Sequence, residues 1–359
     1  MHGHYEVYSE KIRDGDEKKQ LKAQETIQHK RALQERDIQK VEVTPSTREK
    51  EMIQAAEAAV DAFIRQLGAD AAHFPANSIH VVRPGSIEAL SPRHKGAYCA
   101  LLEQYCVVER QPSETAFALT VVHELLHLKS PKMIRIYEDP QNPRLYRAGL
   151  MMTARKKADP SGAEYDYFAR LEEGIVAEAS NRIFDVLSKQ NESVRAEVTL
   201  FASIKPWLDK LMLEGGHFTS QKRAEMLGGL RAIPIEDARA TLEKLESQDV
   251  SDDEKLTDLH RRFLEWRRNG AIAEAERADE RRKLRILVDD LSFGSNGRFS
   301  REQIMTRFFE ANFTGSYLAL ARTVEEILGK GSFRQLAEAF GEERPEGGSS
   351  FYGSGGPPS

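Results

Sequence analysis

Pro112-Ser113-Glu114-Thr115-Ala116-Phe117-Ala118-Leu119-Thr120-Val121-Val122-His123-Glu124-Leu125-Leu126-His127-Leu128-Lys129-Ser130-Pro131 is the stretch on which the reading of this chain turns. Ser113 stands where a helix N-cap belongs and Ser130-Pro131 closes the run, so one helix is predicted up to Lys129. Phe117, Leu119, Val121, Val122, Leu125, Leu126 and Leu128 cover most of its circumference. A helix apolar nearly all round is buried, and His123, Glu124 and His127 occupy the polar sector that is left. Ionisable groups taken out of water cost several kcal/mol unless something compensates them. A divalent cation is such a partner.

Residues i and i+4 lie one turn apart on the same face, so His123 and His127 can turn two imidazole nitrogens toward one ion. Neutral imidazoles at about 2.0–2.1 Å suit Zn2+. Glu124 lies about 100° round the helix from His123, placed to contact a water beside the ion without ligating it. At this chain's His and Glu frequencies, HExxH arises somewhere by chance about 3 % of the time, and the capped apolar surroundings lower that several-fold.

A hydrolytic zinc site takes three protein ligands and leaves one position for water. A third histidine six residues after His127 is excluded, because that position is Met133, and Ser130 stands where the accompanying glycine would be. A later helix offers Leu171-Glu172-Glu173-Gly174-Ile175-Val176-Ala177-Glu178. Glu173 is the expected third ligand. Ala177 and Ser180 continue its row with small side chains and Gly174 lies beside it, so this helix could approach the first one closely. Glu172 and Glu178, which flank the apolar stripe Phe168/Leu171/Ile175, are the alternatives.

His123-Glu124-Leu125-Leu126-His127 with the downstream Leu171-Glu172-Glu173-Gly174 resembles the gluzincin-type metallopeptidases, in which an acid-bearing helix places glutamate before a small residue. The likeness covers roughly Ser46 to Leu187. It implies an α+β, zincin-like fold: a small twisted sheet over an active-site helix, followed by a mostly helical part. It also implies a zinc-dependent metallopeptidase acting on a peptide or protein substrate, with His123, His127 and Glu173 as ligands and Glu124 as general base. Two departures stand out. The 45 residues between His127 and Glu173 exceed what compact members use, so the Met133–Met152 region reads as an insertion near the cleft. The acid often found one turn after the third ligand is replaced by Ala177, so support for a ligating histidine must come from elsewhere.

Working outward, residues 1–44 are dense in charge and poor in large apolar side chains, and read as an extension, helical or disordered. Arg48 to Leu67 repeats apolar residues at helical spacing, with Gly68 where a left-handed C-cap belongs. Ser78–Arg83 reads as a strand, and Gly96–Glu109 as one or two more. Met133–Tyr137 and Leu145–Met152 flank Asp139-Pro140-Gln141-Asn142-Pro143 as a hairpin, and Asp159-Pro160-Ser161-Gly162 is a loop. Tyr165 to Leu187 returns to helical spacing. From Ser193 to Phe340 the chain reads as helices, Ser300 and Gln303 forming a capping box. The organisation expected is therefore a metal-binding core over 45–190, a helical part over 191–340 and a disordered Gly/Ser/Pro tail over 341–359.

Composition narrows the function classes. The 359 residues carry 52 basic against 57 acidic side chains, a net charge of −5, with no footprint for nucleic acid or a membrane surface. No apolar run reaches the ~18 residues of a membrane span, and the start has no secretory leader, so a cytoplasmic protein is expected. Cys99 and Cys106 are too few for a disulfide scaffold and, seven apart, would lie on opposite faces of any single strand, as small hydrophobes. His80 reads as a packed or surface histidine, while His2 and His4 lie in the terminus. No spacing rule selects an oxyanion donor among Tyr137, Tyr146, Arg147, Tyr165 and Tyr167. The arginine series Arg261-Arg262, Arg267-Arg268, Arg281-Arg282-Lys283 is interleaved with acids and reads as a solvated helix face. Two rival readings are an inactive zincin-fold protein that binds metal or peptide, and a helical interaction protein in which HELLH is only an amphipathic turn.

Overall fold

The computed structural model describes residues 6–8, 17–74, 78–92, 94, 96–111, 113–136, 143–155, 164–214, 235–268 and 271–343. The chain is mixed α+β, as its pattern of strands first and helices after predicts. In order it forms β1 (Glu6–Tyr8), α1 (Glu17–Gln39), α2 (Thr47–Gln66), β2 (Ile79–Val82), α3 (Ile87–Leu90), β3 (Ala97–Ala100), β4 (Tyr105–Glu109) and α4 (Glu114–Lys129). Then come β5 (Lys132–Arg135), β6 (Arg144–Ala148), β7 (Met151–Arg155), β8 (Glu164–Tyr167), α5 (Ala169–Gln190) and α6 (Glu192–Glu214). The remainder comprises α7 (Ile235–Glu246), α8 (Asp252–Arg268), α9 (Ala271–Gly294), α10 (Arg301–Phe313), α11 (Tyr317–Leu328), α12 (Ser332–Ala339) and β9 (Glu342–Glu343).

Two sheets form. The smaller has the order β2-β4-β3, with β2 parallel and β3 antiparallel to β4. Its strands are buried on both faces, which explains the run Tyr105-Cys106-Val107-Val108 without a polar alternation. One face meets α4 and α2 in the main apolar cluster, while the other packs Ile38, Val82 and Tyr105 beneath α1. Cys99 and Cys106 are opposite partners on β3 and β4, with Sγ atoms 3.4 Å apart. The single-strand expectation of opposite faces therefore does not hold, because a hairpin turn separates the two.

The larger sheet has the order β1-β5-β6-β7-β8-β9. β5 and β6 make the expected hairpin, although its turn residues 139–142 lie outside the described ones, as does the loop Asp159–Gly162. Leu145–Met152 is not one strand: Gly149, at φ +55°, turns the chain between β6 and β7. Tyr165 and Tyr167 lie in β8, and α5 begins only at Ala169, after Phe168 takes a left-handed conformation at φ +63°. The helical spacing from Tyr165 onward failed because Tyr165 and Phe168 are buried in strand and turn, positions that mimic i, i+3.

The N-terminal extension adds β1, which pairs parallel to β5, and α1, which docks on the β3–β4 turn. Arg31 reaches the carbonyls of Glu103 and Gln104 at 3.4 and 3.5 Å, and Tyr105 donates to Gln34 at 2.8 Å. Part of the expected disordered tail also orders, since Glu342 and Glu343 pair with β8. Residues on both sides of position 190 share one apolar cluster, which joins Val122 and Ile175 to Leu284, Phe308 and Phe313.

Candidate metal centre

α4 is anchored along its whole length. Ser113 Oγ accepts from Ala116 N at 3.0 Å, as the cap predicts. The buried carboxylate of Glu197, on α6, accepts from the amides of Glu114 and Thr115 at 3.2 and 2.8 Å. That places negative charge at the positive end of the helix dipole. Deeper in, Cys106 Sγ donates to the carbonyl of Glu124 at 3.4 Å. Every residue of α4 from Phe117 to Lys129 is buried, as an apolar circumference requires. His123, Glu124 and His127 are each 3–4 % exposed.

α5 packs against this sector and brings Glu173 to it. Glu173 Oε2 lies 3.4 Å from His123 Nε2, Glu173 Oε1 lies 3.4 Å from His127 Nε2, and the two Nε2 atoms are 3.1 Å apart. Ligands at about 2.0–2.1 Å from a tetrahedral ion are separated by ~1.63 times that distance, or about 3.3–3.4 Å. The two imidazole nitrogens, and each of them with one of the two Glu173 oxygens, stand at separations near those of such a site. Two unprotonated nitrogens this close repel unless a proton or a cation lies between them. Imidazole donors favour a borderline transition ion over the hard, oxygen-seeking Ca2+ and Mg2+. His123, His127 and Glu173 form the one such group among the described residues, and it could hold a metal ion.

Charge points the same way. Burial depresses His123 to a pKa of about 3, helped by the nearby Arg277 cation, so its lone pair is free at neutral pH. Burial disfavours charge on His127, yet Glu172 and Glu173 outweigh it and lift its pKa well above the usual imidazole range. Burial would also raise Glu173, but the two histidines, His127 first, hold it well below the usual carboxylate range. The field is thus built to retain positive charge. With neutral imidazoles, the carboxylates of Glu124, Glu172 and Glu173 beside Arg277 carry a formal −2, which a divalent ion would cancel.

Glu172 falls outside this group. Its Oε1 lies 3.2 Å from His127 Nδ1, and it is 1 % exposed. A carboxylate on Nδ1 fixes the proton there and leaves Nε2 free for the ion. In a metal-loaded site Glu172 would supply the support that Ala177 cannot. His123 Nδ1 faces Ser180 Oγ at 3.5 Å, while that hydroxyl donates to Val176 O. Glu178 turns away to Arg182 and Arg285. Gly174 also departs from expectation: it serves α9 rather than α4, because a Cβ there would lie 2.7 Å from the Glu280 carbonyl oxygen. Replacing Glu172 by Gln is expected to weaken metal affinity about 10–100-fold with the fold retained. Competition titration against a chelator measures this, and an unchanged affinity would contradict the orienting role.

The other sequence candidates lie elsewhere. His80 Nδ1 meets Glu42 at 2.8 Å on β2. Tyr165 donates to Glu338 O, Arg147 to the carbonyls of Gly149 and Gly315, and Tyr146 lies beneath Arg135. Tyr167 packs edge-on to Tyr165. Tyr137, His2 and His4 fall outside the described residues.

Two participants escaped the sequence reading. Glu197 carries no local signal. Arg277, whose Nη2 donates to Glu124 Oε1 at 3.0 Å, had one: Leu291, Val288 and Leu284 are buried on α9, and stepping that stripe back by helical turns reaches Arg281 and Arg277. No family model, curated protein or solved structure matches this chain.

Proposed function

We propose that this protein is a zinc-dependent metallopeptidase of gluzincin type, on a zincin-like arrangement of the β2-β4-β3 sheet over α4. The supporting observation is the convergence of His123, His127 and Glu173: the two Nε2 atoms lie 3.1 Å apart, and each lies 3.4 Å from a different carboxylate oxygen of Glu173. HExxH on a buried helix adds the acid that a hydrolase needs and a structural metal site does not.

The three ligands would hold the ion from two helices, and Glu172 keeps His127 in the ligating tautomer. When bound, zinc supplies Lewis acidity toward water and toward a carbonyl. Glu124 performs the proton work: its carboxylate accepts the proton of the attacking water and returns it to the leaving nitrogen. Burial raises the Glu124 pKa, against a lowering by Arg277, which suits a group that must both take and release a proton. Among the described residues, no helix is long and apolar enough to cross a membrane.

A peptide library incubated with the zinc-loaded full chain tests the reading. Cleavage that stops on chelation and returns with zinc is the expected result. Bound zinc with no cleavage of any peptide, and no cleavage after the activating substitutions below, would favour an inactive metal-binding protein.

A further inference from the structure

The closure of the site carries a consequence for its control. The space beside His123 is lined by Leu119, Ala177, Ser180, Asn181, Arg277 and Arg281, and holds about 10 Å³ of water-accessible volume. On this side of the site that is room for about one water molecule and for no part of a peptide. The element that closes it is α9. Leu284, Val288 and Leu291 seat its C-terminal half in the core. The Glu280 carbonyl lies in a notch that only Gly174 leaves open, and Arg285 clamps Glu178 at 2.9 and 3.3 Å. At the far end Arg277 Nη2 sits on Glu124 Oε1 at 3.0 Å, occupying the general base.

We propose that α9 is an inhibitory strap: the chain folds in a latent state, and the part of α9 around Arg277 must lift before a substrate can reach the metal centre. This rests on the metallopeptidase reading for the identity of what is excluded, but not for the closure itself. The fold supports it through an asymmetry of attachment. Towards Leu291 the helix is held by apolar burial, which does not let go locally. Before Leu284 it is held by the Arg277–Glu124 ion pair, and Arg285 steadies the boundary through Glu178; a partner could release these pairs. The N-terminal α1 docks on the β3–β4 turn.

The test uses the full chain loaded with zinc, beside Arg277→Gln and Arg285→Gln. Zinc transfer to excess chromogenic chelator is timed, and hydrogen exchange is followed at amides 277–286 and 301–313. The strap predicts faster transfer, about tenfold for Arg277→Gln, whose partner is buried, and about threefold for the half-exposed Arg285→Gln. Exchange should accelerate at 277–286 in both variants and stay unchanged at 301–313, which shows an intact fold. Peptide cleavage should rise in Arg285→Gln. Equal transfer rates with unchanged exchange would overturn the proposal. If the chain binds no zinc, the metallopeptidase reading fails, while exchange still decides the strap: opening at 277–286 no easier than at 301–313 overturns it.

Discussion

Glu124→Gln is expected to lower peptide cleavage about a thousandfold while leaving bound zinc at the wild-type level, because general acid–base catalysis contributes ~10²–10⁴. The substitution keeps the shape of the side chain and removes only its ability to take a proton. His123, His127 and Glu173 are expected to retain their mutual distances, which the packing of α4 against α5 sets. The change also removes the negative partner of Arg277, so the strap should loosen even as chemistry fails. Zinc content by elemental analysis and turnover by mass spectrometry separate the two effects. Cleavage unchanged in Glu124→Gln would remove the assigned base. Zinc lost together with activity would make Glu124 a structural part of the site instead.

The second large effect lies at the other face of the small sheet. Glu103, in the β3–β4 turn beneath α1, is 2 % exposed, and its Oε2 has no hydrogen-bond partner among the described residues. Burial pushes its pKa up to about 7 from the ordinary 4.5, against weaker lowering by its own backbone amide and Lys30. A group whose pKa is raised on folding favours the folded state at low pH, and that contribution is lost as pH climbs through the folded value. The window is therefore pH 4.5 to about 7. A shift of this size corresponds to at most about 3 kcal/mol. Glu103→Gln cannot ionise. Whatever its offset at pH 4.5, its stability relative to wild type should improve by up to ~3 kcal/mol by pH 8. Urea unfolding of both proteins at pH 4.5, 6 and 8 measures this. Parallel pH profiles would show that Glu103 reaches water.

What the sequence made legible was whatever one helix decides alone. The cap at Ser113, the apolar circumference of α4 and the i, i+4 histidines follow from periodicity, and the structure keeps them. Glu173 was within reach because the acid and its small neighbours share one helix, although the reason given for Gly174 was wrong: it makes room for α9. The start of α5 was misplaced because Tyr165 and Phe168 are buried for strand and turn reasons, and burial alone does not distinguish periods. Contacts between elements distant in sequence left the least trace. Glu197 on the α4 amides, Glu172 on His127 and Arg277 on Glu124 join helices 45 to 153 residues apart, and no local spacing encodes such pairings. Arg277 was hidden further by its setting, a helix on which neighbouring charges pair locally at i, i+3 and i, i+4, as Arg282 and Lys283 do with Asp279.

The metal centre itself is tested most directly by elemental analysis of the purified full chain beside His127→Ala and Glu173→Ala. Near-stoichiometric zinc in the wild type, lost in both variants, is the expected result. Zinc retained in Glu173→Ala, or no metal in the wild type, would contradict the shared site and leave His123, His127 and Glu173 as a buried cluster that holds only a proton.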